Sequence, residues 1–211
     1  MSWKSAARWI LRNTVVSGDS LTPQLRFHLI TENCPLWMST PDKCPLPDPY
    51  WAFYWPGGQA ITKYISDNSC LFKDCVVLDF GCGNGSASIA SIQAGASVIA
   101  NDIDRNALLA TIMNFRLNRV SDQRVMYTSR NLMLAENDDF LLSSIDNTRQ
   151  VYVILGDMFY DSDFALTIFH WLKRYSGLFT KRKVEEYPLP GYVIREHYGF
   201  NVAKVYEIFM K

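Results

Sequence analysis

Along this chain, short continuous apolar runs alternate with segments whose apolar residues recur every three or four positions. Val76-Val77-Leu78-Asp79-Phe80 has strand length and breaks into Gly81-Cys82-Gly83-Asn84-Gly85, and Ser86 to Ala94 predicts a helix directly after it. Ser97 to Asn101 predicts a second strand, Asp104 or Arg105 to Asn118 a helix, and Val125 to Thr128 a third strand. Val151 to Leu155 predicts a fourth strand and Ser162 to Tyr175 a further helix. Alternation at this interval implies parallel strands with right-handed crossovers, a doubly wound α/β sheet. Only Leu132 to Gln150 breaks the rhythm, polar around a short apolar segment, and reads as a longer surface connection.

Ahead of the first strand the signals are mixed. Trp3, Ala6, Ala7 and Ile10 fall at helical spacing among Lys4, Arg8 and Arg12, with no acid from Met1 to Gly18. An amphipathic first helix and a mitochondrial transit segment share that pattern. From Asp19 to Leu29, Thr22-Pro23 looks like a helix start, whereas Leu25, Phe27 and Leu29 alternate as on a strand. Pro35, Pro41, Pro45, Pro47 and Pro49 exclude a helix interior or central strand, so Cys34 to Pro49 reads as an ordered loop or an arm over the domain. Residues 1–49 are thus expected to pack as a helix and arm on a domain formed by residues 50–211. Tyr50-Trp51-Ala52-Phe53-Tyr54-Trp55-Pro56-Gly57-Gly58-Gln59 opens that domain, before a helix carrying Ile61, Tyr64 and Ile65. Trp51, Phe53 and Tyr54 read as packing residues. Trp55, held at a loop-to-helix junction, is placed where an indole covers a cofactor or a cation.

Composition narrows the classes. A length of 211 residues suits one α/β domain, and 21 basic residues balance 21 acidic ones without forming a basic face of the kind nucleic acid requires. No apolar run approaches the roughly 20 residues that span a bilayer, so the chain reads as soluble. Five cysteines without a CxxC pair and three scattered histidines indicate neither a disulfide framework nor a metal site.

The candidate chemistry sits at strand ends. Glycines at alternate positions permit positive φ and let backbone approach a ligand closely. Asp102, closing the second strand, stands where a ribose-binding carboxylate belongs. The fourth strand ends in Gly156-Asp157-Met158-Phe159-Tyr160-Asp161, which points Asp157 and Tyr160 towards the same crevice. Asp157 and Asp161 are also candidates to cap the following helix, a role that suits Asp161 better. Cys82 is either a reactive thiol beside a helix N-terminus or a small residue that fits the loop. The glycine spacing is GxGxG, with Ser86 where a dinucleotide fingerprint has its third glycine, so a nicotinamide-dependent oxidoreductase fits poorly. S-adenosylmethionine fits better: Asp79 can face its cationic amino-acid end and Asp102 can accept from both ribose hydroxyls.

These blocks, together with Ala100-Asn101-Asp102-Ile103-Asp104, resemble the class I, seven-β-strand methyltransferases, and within them the lysine methyltransferases of the electron transfer flavoprotein β subunit. The likeness runs from about Ser20 to Trp171. It implies that Trp55, Gly81, Gly83, Asp102 and Gly156 contact S-adenosylmethionine, with Asp79 and Gly85 completing the loop site. It places Asn131 near the adenine, and Asp157 and Tyr160 along a lysine channel walled by Phe159, Tyr160 and Trp55. The implied partner is a protein, the flavoprotein β subunit, met by a monomer in the mitochondrial matrix, the cytoplasm being the alternative. The 36 residues left after Tyr175 in a 211-residue chain are too few for the family's remaining elements. Val184 to Leu189, Tyr192 to His197 and Val202 to Phe209 supply two late strands, and Ser176 to Lys183 has no strand-length apolar run. The expected fold is a mostly parallel sheet lacking one C-terminal strand, which keeps a cofactor-binding chain without transferase activity as a rival reading.

Overall fold

A computed structural model describes residues 2–34, 36–37, 49–146, 148–175, 179–196 and 201–210. Its elements are α1 (Trp3–Asn13), β1 (Val15–Ser17), β2 (Phe27–Leu29), α2 (Pro56–Asp67), α3 (Ser69–Phe72), β3 (Val76–Phe80), α4 (Ser86–Gln93), β4 (Ser97–Asn101), α5 (Arg105–Leu117), β5 (Val125–Thr128), α6 (Asp138–Ser144), β6 (Val151–Ile154), α7 (Ser162–Tyr175), β7 (Phe179–Pro188), α8 (Gly191–Glu196) and β8 (Val202–Met210). Pro35, Pro41, Pro45, Pro47, Cys44 and His197 lie outside the described residues.

The central sheet is parallel, in the order β5-β4-β3-β6. All five residues of β3 are buried, as a strand covered on both faces must be. Its side chains alternate between the two layers. Val77 joins Val98, Ala100 and Ile154 in the core under α4, while Val76, Leu78 and Phe80 join Ile99 in the core with Ile168, Trp171 and Leu172 of α7. Helices on both faces make the sheet doubly wound, as the alternating pattern predicted.

The N-terminal segment belongs to the same packing. α1 buries Ala6 and Ile10 against Ala107 and Ala110 of α5, so an amphipathic helix is formed there. The conflict over Asp19 to Leu29 resolves in favour of alternation: β2 pairs antiparallel with β1, and Leu25, Phe27 and Leu29 enter the main core. Asn118 clamps this segment, accepting from the Arg26 N–H at 2.9 Å and donating to the Arg26 carbonyl at 2.6 Å.

Two expectations for the C-terminal part are corrected. Tyr192 to Glu196 is helical, in α8, where the Pro190 carbonyl starts the turn by accepting from the Ile194 N–H at 3.1 Å and Val193 is buried against the ribbon. β7 begins at Phe179, ahead of Val184, because pairing with β8 over nine positions supplies hydrogen bonds that an apolar run was not needed to secure. β7 and β8 form a separate ribbon whose Tyr187, Ala203 and Val205 pack on Ala60 of α2. Among the described residues no strand pairs with the outer edge of β6, in line with the missing strand.

Candidate active site

Register brings the three strand ends together. Asp79 lies opposite Ala100 on one side and Ile154 on the other, so Gly81, Asp102 and Gly156 emerge at one edge of the sheet. The loop after β3 is fixed by the Gly81 and Cys82 N–H groups, which both donate to the Asn101 carbonyl at 2.9 Å. α5 braces it from behind. Thr111 Oγ1 donates to the Gly83 carbonyl at 3.1 Å, and Asn114 Nδ2 to the Asn84 carbonyl at 2.9 Å. Gly81, Gly83 and Gly85 all have positive φ. Sequence reasoning missed Thr111 and Asn114; their signal is a pair of polar residues three apart on the buried face of an otherwise apolar helix.

The resulting cleft is narrow, with about 50 Å³ of space open to water, and is lined by Trp55, Asp79, Gly81, Gly83, Gly156 and Asp157 among others. Another cleft, about 280 Å³, opens at the opposite ends of the strands beside Arg124 and Arg149. Both guanidinium groups there are already bound to backbone carbonyls, of Gly95 and of Asp74 and Cys75, so that cleft lacks free recognition chemistry.

Asp79 is 3% exposed and accepts from Ser88 Oγ at 2.6 Å. Burial pushes its carboxyl up to about 6. Asp102 is likewise raised to about 6, burial outweighing the backbone N–H groups of Asp104 and Gly83, which it accepts at 2.9 and 3.0 Å. Neither acid has a basic partner among the described residues. Asp102 is half-buried and does not itself line the cleft, standing behind Gly83, which does. A buried and a half-buried carboxylate, both raised towards neutral pH beside a glycine loop, are chemically matched to a cationic, diol-bearing ligand.

Opposite the loop, Asp157 has φ 55° and its Oδ2 accepts from the Gly58 N–H at 2.7 Å. Burial raises its carboxyl, opposed by the Gly58 and Gly57 N–H groups, and solvent at the exposed face of the residue limits the rise. Met158 folds back over the loop, so a β-carbon at Gly81 would meet its sulfur at 2.5 Å. Trp55 stands at the start of α2, its Nε1 donating to the Tyr50 carbonyl at 2.9 Å and its ring beside Phe53.

Four expectations change. Tyr160 is 77% exposed, stacks on Phe164 and does not line the cleft; Phe159 is 43% exposed against Phe169. The apolar wall therefore comes from Trp55, Tyr50 and Phe53. Asn131 does not line the cleft, and its Oδ1 closes a turn by accepting from the Met133 N–H at 3.1 Å. Gly85 faces away from the cleft, where a β-carbon would strike the Thr111 side chain at 2.5 Å. Cys82 is buried and pushed well above its ordinary value by burial and the two nearby acids, which makes it a fitting residue rather than a nucleophile. Asp161 caps α7 as expected, its Oδ1 accepting from the Phe164 N–H at 2.9 Å.

The chain is similar to several known proteins. Residues 63–148 match the family model described as ribosomal protein L11 methyltransferase (PrmA). A solved ribosomal protein L11 methylase from Lactobacillus delbrueckii subsp. bulgaricus aligns with a TM-score of 0.38 and 22% identity, over 59% of this chain and 70% of its own. The Xenopus laevis electron transfer flavoprotein β subunit lysine methyltransferase is 40% identical over 79% of this chain, which spans 63% of that relative. A Caenorhabditis elegans homologue of the same name is 48% identical over 98% of this chain and 97% of its own length. That alignment has 237 positions against 211 residues here, so at least 26 positions are gaps in this chain. On this similarity over nearly its full length, the chain belongs to the electron transfer flavoprotein β subunit lysine methyltransferase family.

Proposed function

We propose that this chain transfers a methyl group from S-adenosylmethionine to a lysine of a protein, the electron transfer flavoprotein β subunit for which its relatives are named. The observation that carries the reading is the pair of carboxylates lining one cleft, Asp79, buried without a basic partner, on the loop side and Asp157 facing it from the turn after β6, with half-buried Asp102 just behind the loop, bound to the Gly83 N–H. S-adenosylmethionine, when bound, supplies a methyl group made electrophilic by its sulfonium. Asp79 would hold the cationic amino-acid end and Asp102 the ribose hydroxyls, while Gly83, at φ 52°, carries the loop through a left-handed turn beside the Trp51 backbone.

Only the neutral lysine amine has a lone pair to attack, and free lysine, with its pKa near ~10.4, holds about one amine in a thousand in that form at neutral pH. Trp55, Tyr50 and Phe53 exclude water along the approach and favour the neutral form. Asp157 receives the ammonium and orients it as its proton passes to water. Transfer would form the N–C bond as the C–S bond breaks, with the thioether as the leaving group. The compartment, the mitochondrial matrix, follows from that substrate and not from the N-terminal segment, which is folded into the domain as α1. Titration with S-adenosylmethionine and mass spectrometry of purified flavoprotein β subunit after incubation test the proposal. A 14 Da increment on a lysine, expected from ~14 for each CH₂ added, supports it; cofactor binding without any increment leaves a binding protein instead.

A further inference from the structure

α2 begins without any local means of satisfying its first turn. Trp55 at the N-cap offers an indole, which has no acceptor for backbone N–H groups, and Pro56 has no N–H to offer. That leaves the Gly57 and Gly58 N–H groups as the unpaired donors of the turn, since Gln59 N already donates to the Trp55 carbonyl at 2.9 Å. The acceptor that meets them comes from about a hundred residues away. Asp157 Oδ2 takes the Gly58 N–H at 2.7 Å, and the Gly57 N–H also favours the ionised carboxylate.

The carboxylate lies flat against the Cα of Gly57. A β-carbon at that position would stand 2.7–2.8 Å from Oδ1, Cγ and Oδ2 of Asp157, whereas at Gly58 it would find only ordinary contacts, 3.9 Å or longer. Gly57 therefore needs no special φ of its own; what it lacks is bulk on the one surface where Asp157 rests. The carboxylate is thus tied to α2, and the same first turn carries the Trp55 wall.

We infer that Gly57 is a positioning residue for methyl transfer: its bare Cα seats the Asp157 carboxylate on the first turn of α2 and so fixes where the group that receives the acceptor amine stands. This rests on the reading of Asp157 given above. In Gly57→Ala the carboxylate must retreat by about 0.7 Å to regain the 3.4 Å of ordinary contact, and misplacement on this scale costs a rate factor of up to ~100.

The experiment uses the full chain with Gly57→Ala, Asp157→Ala and the double variant, measuring kcat and KM for methyl transfer, calorimetric binding of S-adenosylmethionine and urea unfolding. The expected result is a fall in kcat of about ten- to a hundredfold in Gly57→Ala, with cofactor affinity within about threefold of the parent. In the Asp157→Ala background the second change should be neutral in unfolding midpoint, because the clash has gone. Full kcat in Gly57→Ala beside an inactive Asp157→Ala overturns the positioning role and leaves Asp157 in place. An active Asp157→Ala overturns both. If Gly57→Ala alone does not fold, recovery of folding in the double variant supports the seat, and a double variant equally unfolded overturns it.

Discussion

Replacing Asp79 by asparagine should stabilise the cofactor-free protein while spoiling its pH-dependent affinity for S-adenosylmethionine. Asp79 is 3% exposed, its one hydrogen-bond donor is Ser88, and its carboxyl is raised from 3.8 to about 6. A group that keeps its proton longer in the folded chain than in the unfolded one contributes stability below about pH 4 that is lost as pH rises through about 6. The interval from 3.8 to about 6 converts to about 3 kcal/mol, an upper bound on the cost of holding this charge in the core at pH 7.5. The substituted amide carries no charge, and its oxygen still accepts from Ser88. Urea unfolding of Asp79→Asn against the parent should show a gain of up to about 3 kcal/mol at pH 7.5, shrinking to nothing near pH 4. Calorimetric titration should show the opposite side of the exchange. A carboxyl at about 6 is roughly one-tenth ionised at pH 5 and nine-tenths at pH 7. The parent should therefore bind S-adenosylmethionine about tenfold more weakly at pH 5 than at pH 7 for Asp79 alone, and up to about a hundredfold with Asp102 titrating alongside. The substituted protein should lose the Asp79 share of that dependence. An unfolding midpoint unchanged at pH 7.5, or a pH profile of binding identical to the parent's, would refute the assignment of an unpaired buried charge to the cofactor.

Other substitutions separate structure from chemistry. Gly85→Ala places a β-carbon 2.5 Å from Thr111 Cγ2 at φ 79° and should cost about 1–3 kcal/mol in urea unfolding, part of it recovered by Thr111→Ser, which removes that methyl and keeps the hydroxyl bound to Gly83. Ile10→Ala empties a fully buried site between α1 and α5 and should cost about 2–4 kcal/mol; a loss within experimental error would detach α1 from the fold. Asp161→Ala removes the cap of α7 and should cost about 1 kcal/mol without changing the KM for cofactor, as measured by unfolding and by initial rates. Timed alkylation followed by mass spectrometry should label exposed Cys70 well before buried Cys34, Cys75 and Cys82, and early labelling of Cys82 would contradict its raised thiol.

What the sequence disclosed and what it hid divide along physical lines. Strands β3 to β6 and the glycine loop were legible because continuous apolar runs ending in glycine have few alternative structures, and register then places Asp79, Asp102 and Asp157 at one edge without further information. Tyr160 was misplaced because which way a side chain turns after a strand end depends on the αL conformation of Asp157, which no periodicity encodes. Gly85 was misread for a related reason: a glycine that clears a ligand and one that clears Thr111 look alike in one dimension. The α8 helix and the start of β7 lie where pairing between distant segments, not local pattern, decides the structure.

The absence of a strand beside β6 bears on how Asp157 is held. β6 pairs only with β3 among the described residues, and Val153 on it is 38% exposed, so its outer edge contributes no hydrogen bonds that would fix the turn following Ile154. The turn is instead secured from the inner side. Gly156 packs so closely on α2 that a β-carbon there would approach the Gly58 Cα at 3.2 Å, and Asp157 is bound to the Gly58 N–H. α2 is in turn anchored independently of the sheet edge, through Gln59, which donates to the Tyr54 carbonyl at 2.8 Å and accepts from the Leu21 N–H at 3.0 Å, and through packing of Ala60 on the β7–β8 ribbon. The two sides of the cleft are therefore connected by β3 pairing with β6 and by α2 gripping the end of β6, neither of which uses the open edge. With no partner on that edge among the described residues, the turn carrying Asp157 is held for this reason from the side of α2. The consequence is specific: weakening the grip of α2, as in Gln59→Ala, should lower kcat more than a polar substitution at Val153 on the open edge does, and equal effects in initial-rate assays would place the control of Asp157 elsewhere.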